Sequence, residues 1–264
     1  MKIFSKFAAA AVVATSVLSA AEVINLSDKN FWLPAKHVNF TENQMVPASR
    51  VMLRSKKLMN FDPAKKYTFK MEITGGEGST KKALFLYGIS PASEKGASYS
   101  SQNIQCIPAT FTQLTSAAKK GDTEIKVKDA SKWKTYSHWV IAYNAKADFS
   151  DIPNRSIINI PASKIQKVGE EWVVTLKNPL PVDLAANTNL RQHTLGGYYY
   201  IGNKMIAPGA TIQENATITG QAKHGTYNVK VFHPAVKHGY IIMLFDWNNS
   251  KVPLTIKNAT LTIE

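Results

Sequence analysis

The residues best suited to chemistry lie in Gly196-Gly197-Tyr198-Tyr199-Tyr200. Aromatic rings stack on the apolar C–H faces of sugars, while a few polar groups address the hydroxyls. In an extended chain, alternation sends Tyr198 and Tyr200 to one face and Tyr199 to the other. One face then belongs to a core and the other can serve as a platform. Trp247, between Asp246 and Asn248 at the end of an apolar run, is a second candidate ligand-binding aromatic. Trp32 is a third. The competing role for each is a place in a sandwich core. Arg191, two residues before His193, supplies a planar two-donor fork suited to carboxylate or sulfate. Arg155, in the turn-like segment Asp151-Ile-Pro-Asn-Arg155, offers the same fork unless Asp148 or Asp151 pairs with it.

Catalytic chemistry is less well served. A polysaccharide lyase needs a Tyr or His base with Arg or a metal to stabilise the enolate. Arg191, His193 and Tyr198 have those types, but sequence proximity does not place them together. A glycosidase needs two placed carboxylates, and no acid pair forms a recognisable motif. His224, His233 and His238 are separated by nine and five residues, which is not a zinc spacing. Each reads as a surface or loop histidine. No phosphate loop or serine nucleophile elbow is present. Cys106 is alone, so it forms no intramolecular disulfide and reads as a small buried residue. These observations predict no catalytic residues, no metal and no cofactor.

The first residues carry an address. Lys2 and Lys6 precede an apolar run over 7–18, followed by Ser19, Ala20 and Ala21. That is the pattern of a cleaved signal peptide over 1–21. The run is too short for a bilayer, which needs roughly 20 residues, and no later stretch spans one, so no transmembrane anchor is expected. The chain is predicted to be secreted, periplasmic or on the cell surface. The full sequence has 32 Lys and Arg against 18 Asp and Glu. Removing the leader leaves 30 basic residues against 18 acidic, a net charge near +12. Such a charge attracts polyanions. No nucleic-acid motif is present, and for an exported protein the available polyanions are acidic or sulfated polysaccharides, anionic envelope polymers and membrane headgroups.

The elements that must position these groups read as strands. Period-two or β-branched segments recur at 67–73 (YTFKMEI), 83–89 (ALFLYGI), 172–176 (WVVTL) and 240–247, among others. Gly75-Gly76, Gly121-Asp122, Asn178-Pro179 and Pro208-Gly209 punctuate them. No window reads as a long amphipathic helix. The fold class is all-β, a sandwich or barrel. The texture divides the mature chain into 22–108, a middle unit over 109–194, and 195–264. Trp133 and Trp172 are assigned to the core of the middle unit.

Gly121-Asp122-Thr123, Ala130-Ser131-Lys132-Trp133 and Val174-Thr175-Leu176 with Pro179-Leu180 resemble small β modules of extracellular and phage-tail proteins. Phe61-Asp-Pro-Ala-Lys-Lys-Tyr-Thr-Phe69 and Leu254-Thr-Ile-Lys-Asn-Ala-Thr-Leu-Thr-Ile263 resemble the carbohydrate-binding modules of the galactose-binding-like jelly-roll superfamily. The resemblance implies a jelly-roll sandwich interrupted by a small β-barrel-like insertion, with the first and last strands in one sandwich. That family often has a structural calcium near the final strand. Here Lys257 and Asn258 replace the paired acids. The expectation from all of this is an exported, non-catalytic carbohydrate-binding protein for acidic polysaccharide. The alternatives are a structural or adhesive surface protein and a polysaccharide lyase.

Overall fold

The computed structural model describes residues 20–48, 50–224, 226 and 228–264. All but the last two residues of the predicted signal peptide lie outside the described residues. The chain order is β1 (Glu22–Asn25), β2 (Val38–Thr41), β3 (Gln44–Pro47), β4 (Val51–Arg54), β5 (Met59–Asn60), β6 (Lys66–Gly75) and β7 (Ala83–Ala92). Then come β8 (Thr112–Gln113), β9 (Glu124–Val127), β10 (Trp139–Tyr143), β11 (Ile157–Ile158), β12 (Ala162–Val168), β13 (Glu171–Leu176) and β14 (Asn189–Thr194). The last four are β15 (Tyr199–Ile206), β16 (Thr211–Thr219), β17 (His238–Phe245) and β18 (Leu254–Ile263). Two short 3-10 turns are the only helical elements among the described residues.

The protein is all-β, with a sandwich at its centre. One sheet runs β16-β6-β18-β3-β2, with β1 also on β18; the facing sheet runs β15-β7-β17-β4, with β5 also on β17. All pairings are antiparallel. β6 and β7, β15 and β16, and β17 and β18 lie on opposite sheets. Alternation explains the core between them: Phe69, Met71 and Ile73 of β6 face Phe85, Tyr87 and Ile89 of β7 and Ile241, Met243 and Phe245 of β17. β8 to β14 pair only among themselves. They form two small open sheets, β11-β10-β14-β8 and β12-β13-β9. An isolated bridge between Leu114 and Val127 joins them at one corner, so they do not close into a barrel. Trp133 lies in the core of this unit and Trp172 packs against it, as their placement in the sequence predicts.

The outer face of the β15-β7-β17-β4 sheet positions the candidate site. Both parities of β7 and β17 are apolar, and side chains of the same sheet and its flanks shield the outer-face residues. Leu86, Ile242 and Leu244 form a second buried layer, under Leu84, Tyr198, Tyr200 and Trp247.

Candidate functional site

The register places four residues in one row across the outer face. Tyr200 of β15 pairs with Gly88 of β7, Gly88 with Ile242 of β17, and Ile242 with Arg54 of β4. Three strand spacings of roughly 4.8 Å separate the ends, about 14 Å in all. The row carries an aromatic at one end, an arginine at the other, and little side-chain bulk between. Glycine at position 88 is demanded by the β15 backbone. The register slips between Tyr200 and Gly202, and a Cβ at Gly88 would run into the Tyr199 carbonyl. Gly202 is constrained in the same way, since a methyl there would overlap the Tyr87 ring. Before this irregularity, alternation divides the tyrosines: Tyr199 is buried in the sandwich core, while Tyr198 and Tyr200 cover the outer face.

Above this row lies a cleft of about 290 Å³ with Met52, Arg54, Ser90, Tyr99, Tyr198 and Ile242 in its walls. The Arg54 guanidinium carbon lies over the Tyr240 ring, 3.7 Å from its centroid, and the buried Arg54 Nε has no hydrogen-bond partner among the described residues. Arg50 stacks on Trp247 at 4.1 Å and Arg155 on Tyr99 at 5.1 Å. Among the described residues none of the three guanidinium groups has a carboxylate within ion-pair distance. The acid nearest in sequence to Trp247 is committed elsewhere: Asp246 accepts from Ser250 N–H and Oγ–H and from Lys251 N–H. The Tyr198 hydroxyl points at Met52 Sδ, 3.2 Å away. Burial, with Tyr198 alongside, raises the Tyr200 phenol above its ordinary pKa, so that ring stays neutral at physiological pH.

Tyr198 is also a wall of a second cleft, of about 420 Å³, where the sandwich meets the inserted unit. Its other walls come from Gln105, Ile107, His138, Trp139, Leu195 and Tyr200.

Three of the five sequence-derived candidates, Tyr198, Tyr200 and Trp247, therefore converge on one open face. The other two do not reach it. Trp32 is 1% exposed and its indole N–H donates to Leu26 O at 2.8 Å; it is a core side chain. Arg191 is likewise 1% exposed. Its Nη2 meets Asp151 Oδ2 at 2.6 Å, Nη1 donates to Lys146 O, and Nε donates to His193 Nε2 at 3.0 Å. The anion that Arg191 recognises is thus internal. His193 accepts at Nε2, so its Nδ1–H donates to Gln102 O at 2.7 Å. Burial first, and the Arg191 charge second, pull its pKa down to about 3. The types required of a lyase are split: Arg191 and His193 are sealed inside, and Tyr198 lies on the outer face.

The histidines differ from the sequence expectation. His238 bonds Asn60 at the sheet edge, but His233 is 2% exposed and packs on His224 with centroids 5.4 Å apart. His233 Nδ1 accepts from Ala235 N–H, which leaves an Nε2–H buried without a partner. Burial, then His224 and Arg191, lower its pKa to about 4. Phe149 bridges the group, with Arg191 over one face and His224 stacked at 5.6 Å. Among the described residues no cluster of three or more His, Cys, Asp or Glu can hold a metal ion. Near the last strand, Lys257 Nζ lies 4.0 Å from Glu72 Oε1. An ammonium there does not fit the calcium that the resemblance implies.

Arg50, Arg54, Tyr99, Tyr240 and Trp139 were not legible as site residues. The available signal was the parity of β4 and β17: Met52 with Arg54, and Tyr240 with Ile242 and Leu244, share one face. No family model, curated protein or solved structure matches this chain. No helix among the described residues is long and apolar enough to cross a membrane.

Proposed function

We propose that this chain is an exported, non-catalytic protein that binds acidic polysaccharide on the outer face of the β15-β7-β17-β4 sheet. One observation carries the reading. Arg54 lies on Tyr240 without a carboxylate partner and faces Tyr198 across an open cleft. Stacking holds a guanidinium in place while leaving its donor edge for an anion. The tyrosine ring supplies the apolar surface a pyranose needs. Arg50 and Arg155 add two more aromatic-backed cations, and the net charge near +12 of the chain after the leader draws a polyanion toward them. Export is supported by the leader-like segment, and mass spectrometry of the secreted chain should find its start after Ala20 or Ala21.

Affinity electrophoresis in low salt tests binding. Gels containing alginate, polygalacturonate or a sulfated glycan should retard the protein, and added salt should weaken the effect. Arg54→Gln should abolish most of the retardation without altering the thermal melt. Free migration of the native protein through every acidic gel would sink the proposal.

A further inference from the structure

The cleft on the other side of Tyr198 has chemistry that the arginine face lacks. Its volume of about 420 Å³ falls in the range of small-ligand sites, roughly 300–1,000 Å³. It is built from both parts of the protein. Trp139 and His138 come from the inserted unit, Tyr198 and Tyr200 from the sandwich, and Gln105 from the chain passing between them. No Asp, Glu, Lys or Arg lines it.

Its polar groups are unfinished. Gln105 is 6% exposed. Its Oε1 accepts the Thr194 hydroxyl at 3.0 Å, but no described residue accepts a hydrogen bond from its Nε2. Trp139 Nε1 and the Tyr200 hydroxyl likewise have no hydrogen-bond partner among the described residues. A nearly buried amide donor that lines a cleft and lacks a protein acceptor is suited to an acceptor from a ligand. The lining is aromatic and donor-rich, without Asp, Glu, Lys or Arg. A carboxylate would lose its hydration here with no Lys or Arg to replace it, whereas ring hydroxyl or acetamido oxygens match the free donors.

We infer that this cleft is a second subsite, holding an uncharged pyranose ring of the same chain whose acidic ring lies against Arg54. The inference rests on the glycan-binding reading above. Because Tyr198 is a wall of both clefts, the two rings are neighbours along the chain. The preferred ligand class is then a polysaccharide in which charged and uncharged rings alternate. The inserted unit supplies part of the site rather than a passive spacer.

Titration calorimetry on the full chain decides the matter, with three probes. Hyaluronan oligosaccharides alternate uronate with an uncharged acetamido sugar, oligogalacturonate carries a charge on every ring, and cello-oligosaccharides carry none. Hyaluronan oligosaccharides should bind tightest. Trp139→Ala should weaken them about tenfold, or about 1.4 kcal/mol, and change oligogalacturonate by less than about twofold. Trp139→Leu keeps apolar bulk without a flat ring, and the same loss is expected should the alanine variant misfold. Arg54→Gln should weaken both acidic probes. If Arg54→Gln removes binding while both Trp139 variants leave every affinity unchanged, the second subsite is wrong and the glycan reading survives. Tighter binding of oligogalacturonate than of hyaluronan also overturns it. A native protein that binds neither acidic probe overturns the second subsite, and the glycan reading falls with it only if every acidic gel also leaves the protein unretarded.

Discussion

Asp151→Asn probes the contact that locks the inserted unit's interior. The carboxylate sits 2.6 Å from Arg191 Nη2, with side-chain exposures of 7% and 1%. It also accepts from Asn154 Nδ2 at 2.9 Å and from Lys146 N–H at 3.1 Å. Burial alone would raise its pKa. The bonds from Asn154 and Lys146 and the Arg191 charge outweigh that and hold it below the usual carboxylate range. The asparagine is nearly isosteric; it removes the charge and turns one of the two accepting oxygens into an N–H donor. Arg191 then retains a neutral imidazole and a carbonyl as partners, so a guanidinium stays buried without a counter-ion. Breaking such a pair costs about 3–5 kcal/mol. Replacing both partners removes the orphaned charge, so adding Arg191→Met should restore at least about 2 kcal/mol. The assay is urea unfolding at pH 7 followed by tryptophan fluorescence, to which Trp133, Trp139 and Trp172 report from the inserted unit. A loss below about 1 kcal/mol for Asp151→Asn, or no recovery in the double variant, would refute the reasoning.

Acid should destabilise the native state before any carboxylate titrates. His193 and His233 are neutral in the fold, with pKa values lowered to about 3 and about 4, against roughly 6.5 in the unfolded chain. The unfolded state binds the extra protons, so their contribution is full above pH about 6.5. It declines toward pH 4 by up to about 1.4 kcal/mol per pH unit for each group. His224, Arg191 and Asp151 are the charged or titratable neighbours, and Tm measured from pH 7.5 to 4.5 should fall accordingly; a flat profile contradicts buried neutral imidazoles. Gly202→Ala should lower stability by at least about 1 kcal/mol, because the Tyr87 ring must move, and should weaken glycan binding by tilting Tyr200; unchanged Tm and affinity would count against the β15 geometry. Trp32→Ala should cost about 3–5 kcal/mol and leave glycan affinity intact below its lowered Tm. Lost affinity in a folded Trp32→Ala protein would return Trp32 to the site.

Alternation along the chain determined the all-β class, the separation of Tyr199 from Tyr198 and Tyr200, and the assignment of Trp133 and Trp172 to an inner core. These are local properties, since period two sets which side of a strand a residue faces whatever the strand meets. Trp32 and Trp247 are indistinguishable on that basis; one packs between the two sheets and the other lies over their outside. The same holds for the arginines. Arg191 follows the sequence logic of an anion-binding residue, but Asp151, forty positions earlier, folds onto it and consumes its donors. Arg54 looks like an ordinary strand residue until β17 sets Tyr240 beneath it and no acid alongside. Whether a charge is open to a ligand depends on which other charges the tertiary structure brings within about 4 Å, and that information is not carried by sequence neighbours. Aromatic and basic residues were therefore legible as candidate binding groups, while pairing across the sheets decided which of them lie together on one open face.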